Sequence, residues 1–361
     1  MRVLIAPDKF AGTLSASQAA AAIAEGWRRT APGDELSLAP MADGGPGFLE
    51  LLGDVVGGQV HDVEVTGPHG EPVTAQILVE AGTAYIESAQ AAGLHLADST
   101  RAEQATSYGV GQLLLAARET GATTAVIGLG GSGTSDGGAG LLAALGATGD
   151  RPLDAGVAGL EGITEVRLPE PLDLEIVIAS DVDNPLTGLF GAVKVYGAQK
   201  GLSEEAMPRW DGALQDLAAA TSRKTATEKG AGAAGGMGFA LLLLGATRRP
   251  GFDVVADLLG LTELASKADL VITGEGSFDP QSASGKVPAG VAKLAEQALR
   301  PCIVMAGKVS MSGREMRTLG IDAAYSLIDS VGEERALAQA YESLVQVAAR
   351  VARTWSTDHR E

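Results

Sequence analysis

A single cysteine, Cys302, stands in the 361 residues, so no disulfide forms within the chain. It lies in the apolar run Cys302-Ile303-Val304-Met305, where a small buried side chain is expected rather than a reactive thiol. That usage fits a reducing compartment. Aromatic residues are also scarce at 4%, with six Phe, five Tyr and three Trp, and the core must be built from Ala, Val, Leu and Ile. Long hydrophobic runs are missing. The longest, 239–246, falls well short of the ~20 residues a membrane helix needs, and the apolar part of MRVLIAPD is too short for a secretory signal. A soluble cytoplasmic protein is expected. Positive charge is in deficit, with 27 Lys and Arg against 45 Asp and Glu, a net charge of −18. Such a surface repels nucleic acid and anionic membranes, so neither is an expected partner. Any anionic substrate must be held by local donors.

Several chemical signatures are absent as well. The histidines His61, His69, His95 and His359 have no ligand spacing, and no Gly-x-Ser-x-Gly elbow occurs, so zinc and serine-hydrolase chemistry lack support. There is no Walker A motif, because Val287 follows Lys286 where Ser or Thr is required.

Glycine, by contrast, is abundant: its 49 residues cluster in loops after apolar runs. Val3–Ala6 leads into Pro7-Asp8-Lys9, and Thr124–Leu129 into Gly130-Gly131-Ser132-Gly133-Thr134-Ser135-Asp136. Glu175–Ala179 precedes Ser180-Asp181-Val182-Asp183-Asn184-Pro185, and Leu270–Thr273 precedes Gly274-Glu275-Gly276-Ser277-Phe278-Asp279. Apolar runs of this length, alternating with helical spacing, indicate buried parallel strands in βα units. Ligands of such sheets bind beyond the carboxyl ends of the strands. Residues 55–86 differ: Val60–Val65 and Val73–Val79 alternate apolar and polar around Gly67-Pro68-His69-Gly70, which predicts an antiparallel hairpin and argues for a second domain. Ser15 is placed to start a helix, Thr106 or Ser107 to cap another, and a C-terminal helix is expected over 333–354 with Leu337, Tyr341, Leu344, Val345 and Ala348 on one stripe. The segments 146–172 and 221–236 read as long loops.

Two stretches match Gly-x-Gly-x-x-Gly, at 128–133 and 230–235. The acidic residue at the expected offset from the first, Asp150, lies in a loop, and no strand precedes the second, so a nicotinamide site is not supported. A phosphate role for the first loop is better founded, because successive Gly and Ser residues let backbone N–H groups converge on an anion ahead of a helix. Ser135 or Asp136 either caps that helix or contacts phosphate or Mg²⁺. The loops supply carboxylates and lysines together, the parts that phosphoryl transfer needs.

The motifs then resemble one family in order along nearly the whole chain. They are Ala6-Pro7-Asp8 with Gly12-Thr13-Leu14-Ser15, Ala42-Asp43-Gly44-Gly45, and Thr106-Ser107-Tyr108-Gly109-Val110-Gly111. Then follow GLGGSGTSDGGAG at 128–140, Asp181-Val-Asp-Asn184-Pro185-Leu186, Tyr196-Gly197-Ala198-Gln199-Lys200-Gly201, GAGAAGG at 230–236 and ITGEGSFDPQSASGKVPAGVA at 272–292. This set resembles the bacterial glycerate kinases, of the glycerate 2-kinase type. The resemblance implies ATP-dependent phosphorylation of D-glycerate with Mg²⁺. It also implies an α/β fold: a flavodoxin-like parallel-sheet domain from both chain ends (1–50 plus 262–361) and a large inserted α/β domain (51–261). With the residue chemistry it suggests Asp181, Lys200 and Lys286 as catalytic groups and Gly130, Gly131, Ser132, Gly133, Thr134 and Ser135 around the nucleotide. Asp8, Lys9, Asp43, Gly44, Gly45 and Asn184 are suggested at the substrate, and Asp136, Glu275 and Asp279 at the metal. Two departures stand out. The family usually has Lys where this chain has Ala11, and its Asp-Gly-Gly-Glu-Gly-Thr reads here Asp43-Gly44-Gly45-Pro46-Gly47-Phe48. A kinase for another small hydroxy acid or polyol, or a binding protein without turnover, remains the alternative, and the assembly is open between monomer and homodimer.

Overall fold

The computed structural model describes residues 1–283 and 287–357, apart from the side chains of Gln281 and Ala283. In chain order its first strands are β1 (Arg2–Ile5), β2 (Glu35–Leu38), β3 (Gln59–Thr66), β4 (Pro72–Glu80), β5 (Thr83–Glu87) and β6 (Thr124–Gly128). A small ribbon of β7 (Thr148–Gly149) and β8 (Val166–Arg167) follows, then β9 (Glu175–Ala179), β10 (Thr247–Arg249), β11 (Leu270–Phe278), β12 (Cys302–Val309) and β13 (Ala323–Ser326). The chain divides into two compact units, 1–43 with 252–361, and 44–251.

The first unit carries a five-stranded sheet in the order β13-β12-β11-β1-β2, with every neighbouring pair parallel. Counted within the unit alone this is 2-1-3-4-5, the flavodoxin-like winding, whose ligand site lies where the winding reverses, here between β1 and β11. The strands are continuous apolar runs because both faces are covered: Val3, Ile5, Leu270, Ile272, Ile303 and Met305 are all at most 1% exposed. Helix Ala16–Thr30 starts at Ser15, whose hydroxyl accepts from the Gln18 N–H while Gln18 accepts from the Ser15 N–H. It lies against helix Ala340–Trp355 so closely that a Cβ on Gly26 would strike the Val345 carbonyl oxygen and stand 2.8 Å from Ala348 Cβ. The C-terminal segment is not one helix as expected. It breaks at Gln339 into Glu333–Ala338 and Ala340–Trp355. The break lets Ala336 and the stripe of Leu344, Val345, Ala348 and Val351 all reach the core, and leaves Leu337 outside at 59% exposure.

The second unit holds a six-stranded sheet, β10-β9-β6-β5-β4-β3. The strands β10, β9, β6 and β5 run parallel, and the β3–β4 hairpin foretold by the alternation is added antiparallel. The units meet in sequence at 43/44 and 251/252, several residues before the 50/51 and 261/262 expected. Two local contacts explain this. Glu87, buried at the end of β5, accepts from the N–H groups of Gly47 (3.1 Å) and Leu49 (3.2 Å), tying the start of helix Phe48–Val56 to the second unit. The Phe252 ring lies where a side chain on Gly290 would stand, which ties helix Gly251–Leu258 to the first.

The two helical glycines differ in surroundings, and the difference is measurable. Gly26→Ala forces a methyl against the Val345 carbonyl and should cost about 1–3 kcal/mol of unfolding free energy, as overpacking does. Gly53, inside helix Phe48–Val56 with nothing within 4 Å of the added Cβ, should gain about 0.5–1 kcal/mol as Ala from reduced backbone freedom. Urea unfolding of the two variants should move the midpoint in opposite directions.

Candidate active site

In the second unit β6 and β9 pair in register, Gly128 opposite Ala179, and the Leu129 N–H donates to the Ala179 carbonyl. Their carboxyl ends therefore release two loops side by side: the Gly-rich loop at 130–136 and the segment beginning Ser180-Asp181. The chain from Gly44 to Pro46 packs against the first of these. A Cβ on Gly44 would stand 2.6 Å from the Ala179 carbonyl oxygen, one on Gly130 would strike the Gly45 Cα, and one on Gly131 would stand 2.5 Å from Pro46. Glycine is required at 130 because two backbones touch there. Phe48, one of the two unusual residues of that stretch, is 0% exposed and lies 3.1 Å from the position of a Cβ on Gly128. It is core beneath the loop and does not line an open pocket.

Asp136 ends the loop and is completely buried. Its carboxylate accepts four hydrogen bonds: from Ser107 N–H (2.8 Å), Ser107 Oγ (2.8 Å), Gly140 N–H (3.2 Å) and Gly138 N–H (3.1 Å). Burial pushes its pKa up and the bonds from Ser107, Gly138 and Gly140 oppose that. Three of these donors meet Oδ2 and one meets Oδ1, so the carboxylate is tied to the protein around it. Two of its donors, the Gly138 and Gly140 N–H groups, stand at the start of helix Ala139–Ala144. Of the two candidates to start the helix at 108, the Thr106 hydroxyl accepts from the Tyr108 N–H (3.3 Å), while the Ser107 hydroxyl makes no cap bond there. It accepts from the Leu141 N–H (3.0 Å) and donates to Asp136.

Lys200 lies beneath the same loop at 3% exposure. Its Nζ donates to Ser132 Oγ (2.9 Å) and to the Thr134 carbonyl (2.6 Å). Burial drives the ammonium down to about 7, and Asp136 pulls it back up. The Thr134 hydroxyl, also buried, finds no partner among the described residues. Beyond β9, Asp181 is half-buried, whereas Asp183 is exposed and engaged by Arg248 (2.7 Å) and Lys229 (3.3 Å). Asn184 is committed to its own loop: Nδ2 donates to the Phe190 carbonyl and Oδ1 accepts from the Tyr196 hydroxyl, both at 2.9 Å.

The first unit gathers a separate group at its switch point. The Asp8 N–H donates to the Gly274 carbonyl (2.8 Å), which sets Asp8 beside the end of β11, where Glu275 is buried. Met41 donates to the Pro7 carbonyl (2.9 Å) and so brings in the chain that leads to Asp43. Burial and the neighbouring Asp43 carboxylate push Asp8 up to about 7. The Lys9 N–H, at 2.7 Å, and the Lys9 ammonium pull the other way, and Glu275 adds to the rise. Asp279, half-buried, receives the chain back through Ser282, whose hydroxyl accepts from the Asp279 N–H (3.1 Å). Among the described residues no three acidic, His or Cys side chains form a ready metal cage. Lys286 lies outside the described residues.

The structure thus brings together 130–136, Asp181, Lys200, Gly44 and Gly45 in one unit, and Asp8, Lys9, Asp43 and Glu275 in the other. Two structural carboxylate roles were missed in the sequence: the capping of 47–49 by Glu87 and the anchoring of the Gly-rich loop through Ser107. For Ser107 the motif was visible, but its partner lies 29 residues away.

The model of the Glycerate kinase family matches residues 3–356. The Glycerate 2-kinase of Escherichia coli is 38% identical over 372 residues, covering 98% of each chain. The Glycerate kinase of Bacillus subtilis is 39% identical over 373 residues, covering 98% of this chain and 96% of that one. A crystal structure described as putative glycerate kinase 2 from Salmonella typhimurium superimposes with a TM-score of 0.84 at 38% identity, each chain covered in full.

The two roles weighed for Asp136 predict different variants. Asp136→Asn turns an acceptor into an amide whose NH₂ faces N–H donors, and should cost about 1–3 kcal/mol in chemical unfolding. The metal concentration giving half-maximal turnover should stay where it is. A metal ligand would move that concentration strongly and leave stability nearly unchanged.

Proposed function

Because the chain belongs to the glycerate kinase family, we propose that it moves the terminal phosphoryl group of ATP onto a hydroxyl of D-glycerate. The observation that carries the residue roles is the pairing of β6 with β9, which sets the Gly-rich loop and Asp181 at adjacent strand ends. The loop is the proposed cradle for the nucleotide phosphates. Its glycines let backbone N–H groups approach an anion, and its Thr134 hydroxyl gains a partner when an acceptor binds. Such a gain is worth about 1–3 kcal/mol for a buried group otherwise left unmade.

Asp181 is the proposed base or orienter of the acceptor hydroxyl. The hydroxyl oxygen bonds to the terminal phosphorus, the bond from phosphorus to the bridging oxygen breaks with its electrons leaving on ADP, and the hydroxyl proton passes to the carboxylate. Asp183 is a weaker candidate, because Arg248 and Lys229 already compensate its charge. Asp8, Asp43 and Glu275 offer hard oxygen donors in one place, where burial and then the Asp43 charge raise the Asp8 carboxyl. That donor set fits Mg²⁺, which takes one or two carboxylates with substrate phosphates rather than an all-protein cage. Asp8 and Glu275 are the proposed holders, with Asp279 next along the chain. Lys9 is the proposed cation for a substrate carboxylate, since Ala11 offers none. The family's Lys286 segment is the second candidate for phosphate contact.

Coupled ADP release with D-glycerate, ATP and Mg²⁺, and the product's phosphorus NMR spectrum, test this reading and reveal which hydroxyl is used. Asp181→Asn should lose ~10²–10⁴-fold in kcat, the span of general acid–base catalysis, with the KM for glycerate little changed. Asp183→Asn should stay close to wild type. The reverse pattern would transfer the role to Asp183. Turnover of another hydroxy acid or polyol well above glycerate would replace the substrate.

A further inference from the structure

Lys200 is buried with a charged head, and nothing in the phosphoryl-transfer scheme above uses it. It stands at the end of the turn Ala198–Lys200, closed by the Gly201 N–H donating to the Ala198 carbonyl (3.1 Å) and the Leu202 N–H donating to the Gly197 carbonyl (3.0 Å). The turn aims the side chain inward, where Nζ holds Ser132 Oγ and the Thr134 carbonyl. From another side the 233–236 segment closes over the same place. A Cβ on Gly235 would stand 2.9 Å from Nζ and would strike the Thr134 carbonyl, and the Gly137 N–H donates to the Gly235 carbonyl (3.0 Å). Three segments distant in sequence therefore converge on one ammonium under the loop.

We propose that Lys200 is the positioning residue of the Gly130–Asp136 loop: clamped between Ser132 and Thr134, it holds the loop in its phosphate-receiving conformation and supplies from beneath the positive charge that a triphosphate meets. This rests on the reading of that loop as the phosphate cradle. It assigns Lys200 to the loop instead of to direct contact with the reacting atoms, because the residue is 3% exposed and its Nζ is held by Ser132 and Thr134. In a chain of charge −18 the surface gives a polyanion no help, so a fixed internal cation has a large share of the local field. The charged group acting on it is Asp136. The other members of 130–136, 197–201 and 230–236 are Gly, Ala, Ser, Thr and Gln, none of which titrates near neutrality. Asp136 in turn is spent on four donors, and so leaves the ammonium to face the loop.

A physical consequence follows from linkage. An ammonium made easier to deprotonate by burial is driven back to its charged form when a polyanion binds above it. Binding should then take up a proton above about pH 7, and affinity should fall as pH rises further.

The test uses sodium tripolyphosphate, which carries phosphates without base or sugar, on the full chain. Calorimetry of the wild type at pH 8 in two buffers of different ionisation enthalpy should reveal proton uptake on binding. Lys200→Met should bind tripolyphosphate ~10-fold or more weakly, on the scale of losing a charge-assisted contact, without that uptake. Its KM for nucleotide should rise by a like factor while the KM for glycerate holds. Lys200→Arg, always charged, should restore much of the affinity and show no uptake. A Met variant that binds tripolyphosphate like the wild type, or a wild type that binds it without proton uptake, would overturn the role of Lys200. A wild type that turns over nucleotide yet ignores tripolyphosphate would overturn the loop assignment. The wild-type arm decides even where the Met variant fails to fold.

Discussion

The buried carboxylate of Asp136 is the point on which the second unit's functional edge depends. It gathers Ser107, Gly138 and Gly140 and joins the loop after β6 to the start of helix Tyr108–Glu119 and to the helix that follows. Burying a carboxylate is expensive unless its lone pairs are matched. Here they are matched by four donors, three of them from backbone whose geometry the fold already sets. The far end of the loop is tied in this way, and Lys200 takes hold at Ser132 and Thr134. One anion and one cation, each enclosed, define the two ends of a segment that otherwise has almost no side chains to define it.

That scarcity of side chains has a purpose. Gly44 against Ala179, Gly45 against Gly130, and Gly235 against Thr134 are contacts of backbone with backbone. They stack three loops more tightly than any residue with a Cβ allows. Glycine loses the most conformational freedom on folding, so an edge made this way must be stabilised from beneath. The apolar layer under it, with Phe48, Leu129, Ile178 and Leu186 all at most 3% exposed, provides that support. The replacement of the family's Thr by Phe48 belongs to this layer. At Phe48 the departure is one of packing under the loop.

The two carboxylates that the sequence put side by side, Asp181 and Asp183, show how far local reading goes. Both follow a strand and both precede Asn184-Pro185, and no pattern separates them. In three dimensions Arg248, carried in by β10, and Lys229 converge on the exposed Asp183, while Asp181 stands half-buried after β9. The same holds for Asp136, which as a residue type suits a metal as well as a cap. The arrival of Ser107 from the preceding helix start engages it with protein, which no local pattern foretells.

Strand runs, the hairpin and the first helix start were legible in the chain because each depends on local spacing: apolar continuity where both faces are covered, alternation where one is wet, and a serine ahead of an apolar helical stripe; the flavodoxin-like winding came only with the family resemblance. The family was legible for the same reason, as ordered motifs at strand ends. What tertiary structure alone decided was which polar side chains are already spent. Whether Asp136, Asn184, Asp183 and Lys200 face a ligand or the protein depends on partners 12 to 68 residues away. Hydrogen bonds over such separations leave no periodic trace in a sequence, because each is made by the meeting of two loops whose approach is set by the sheets beneath them.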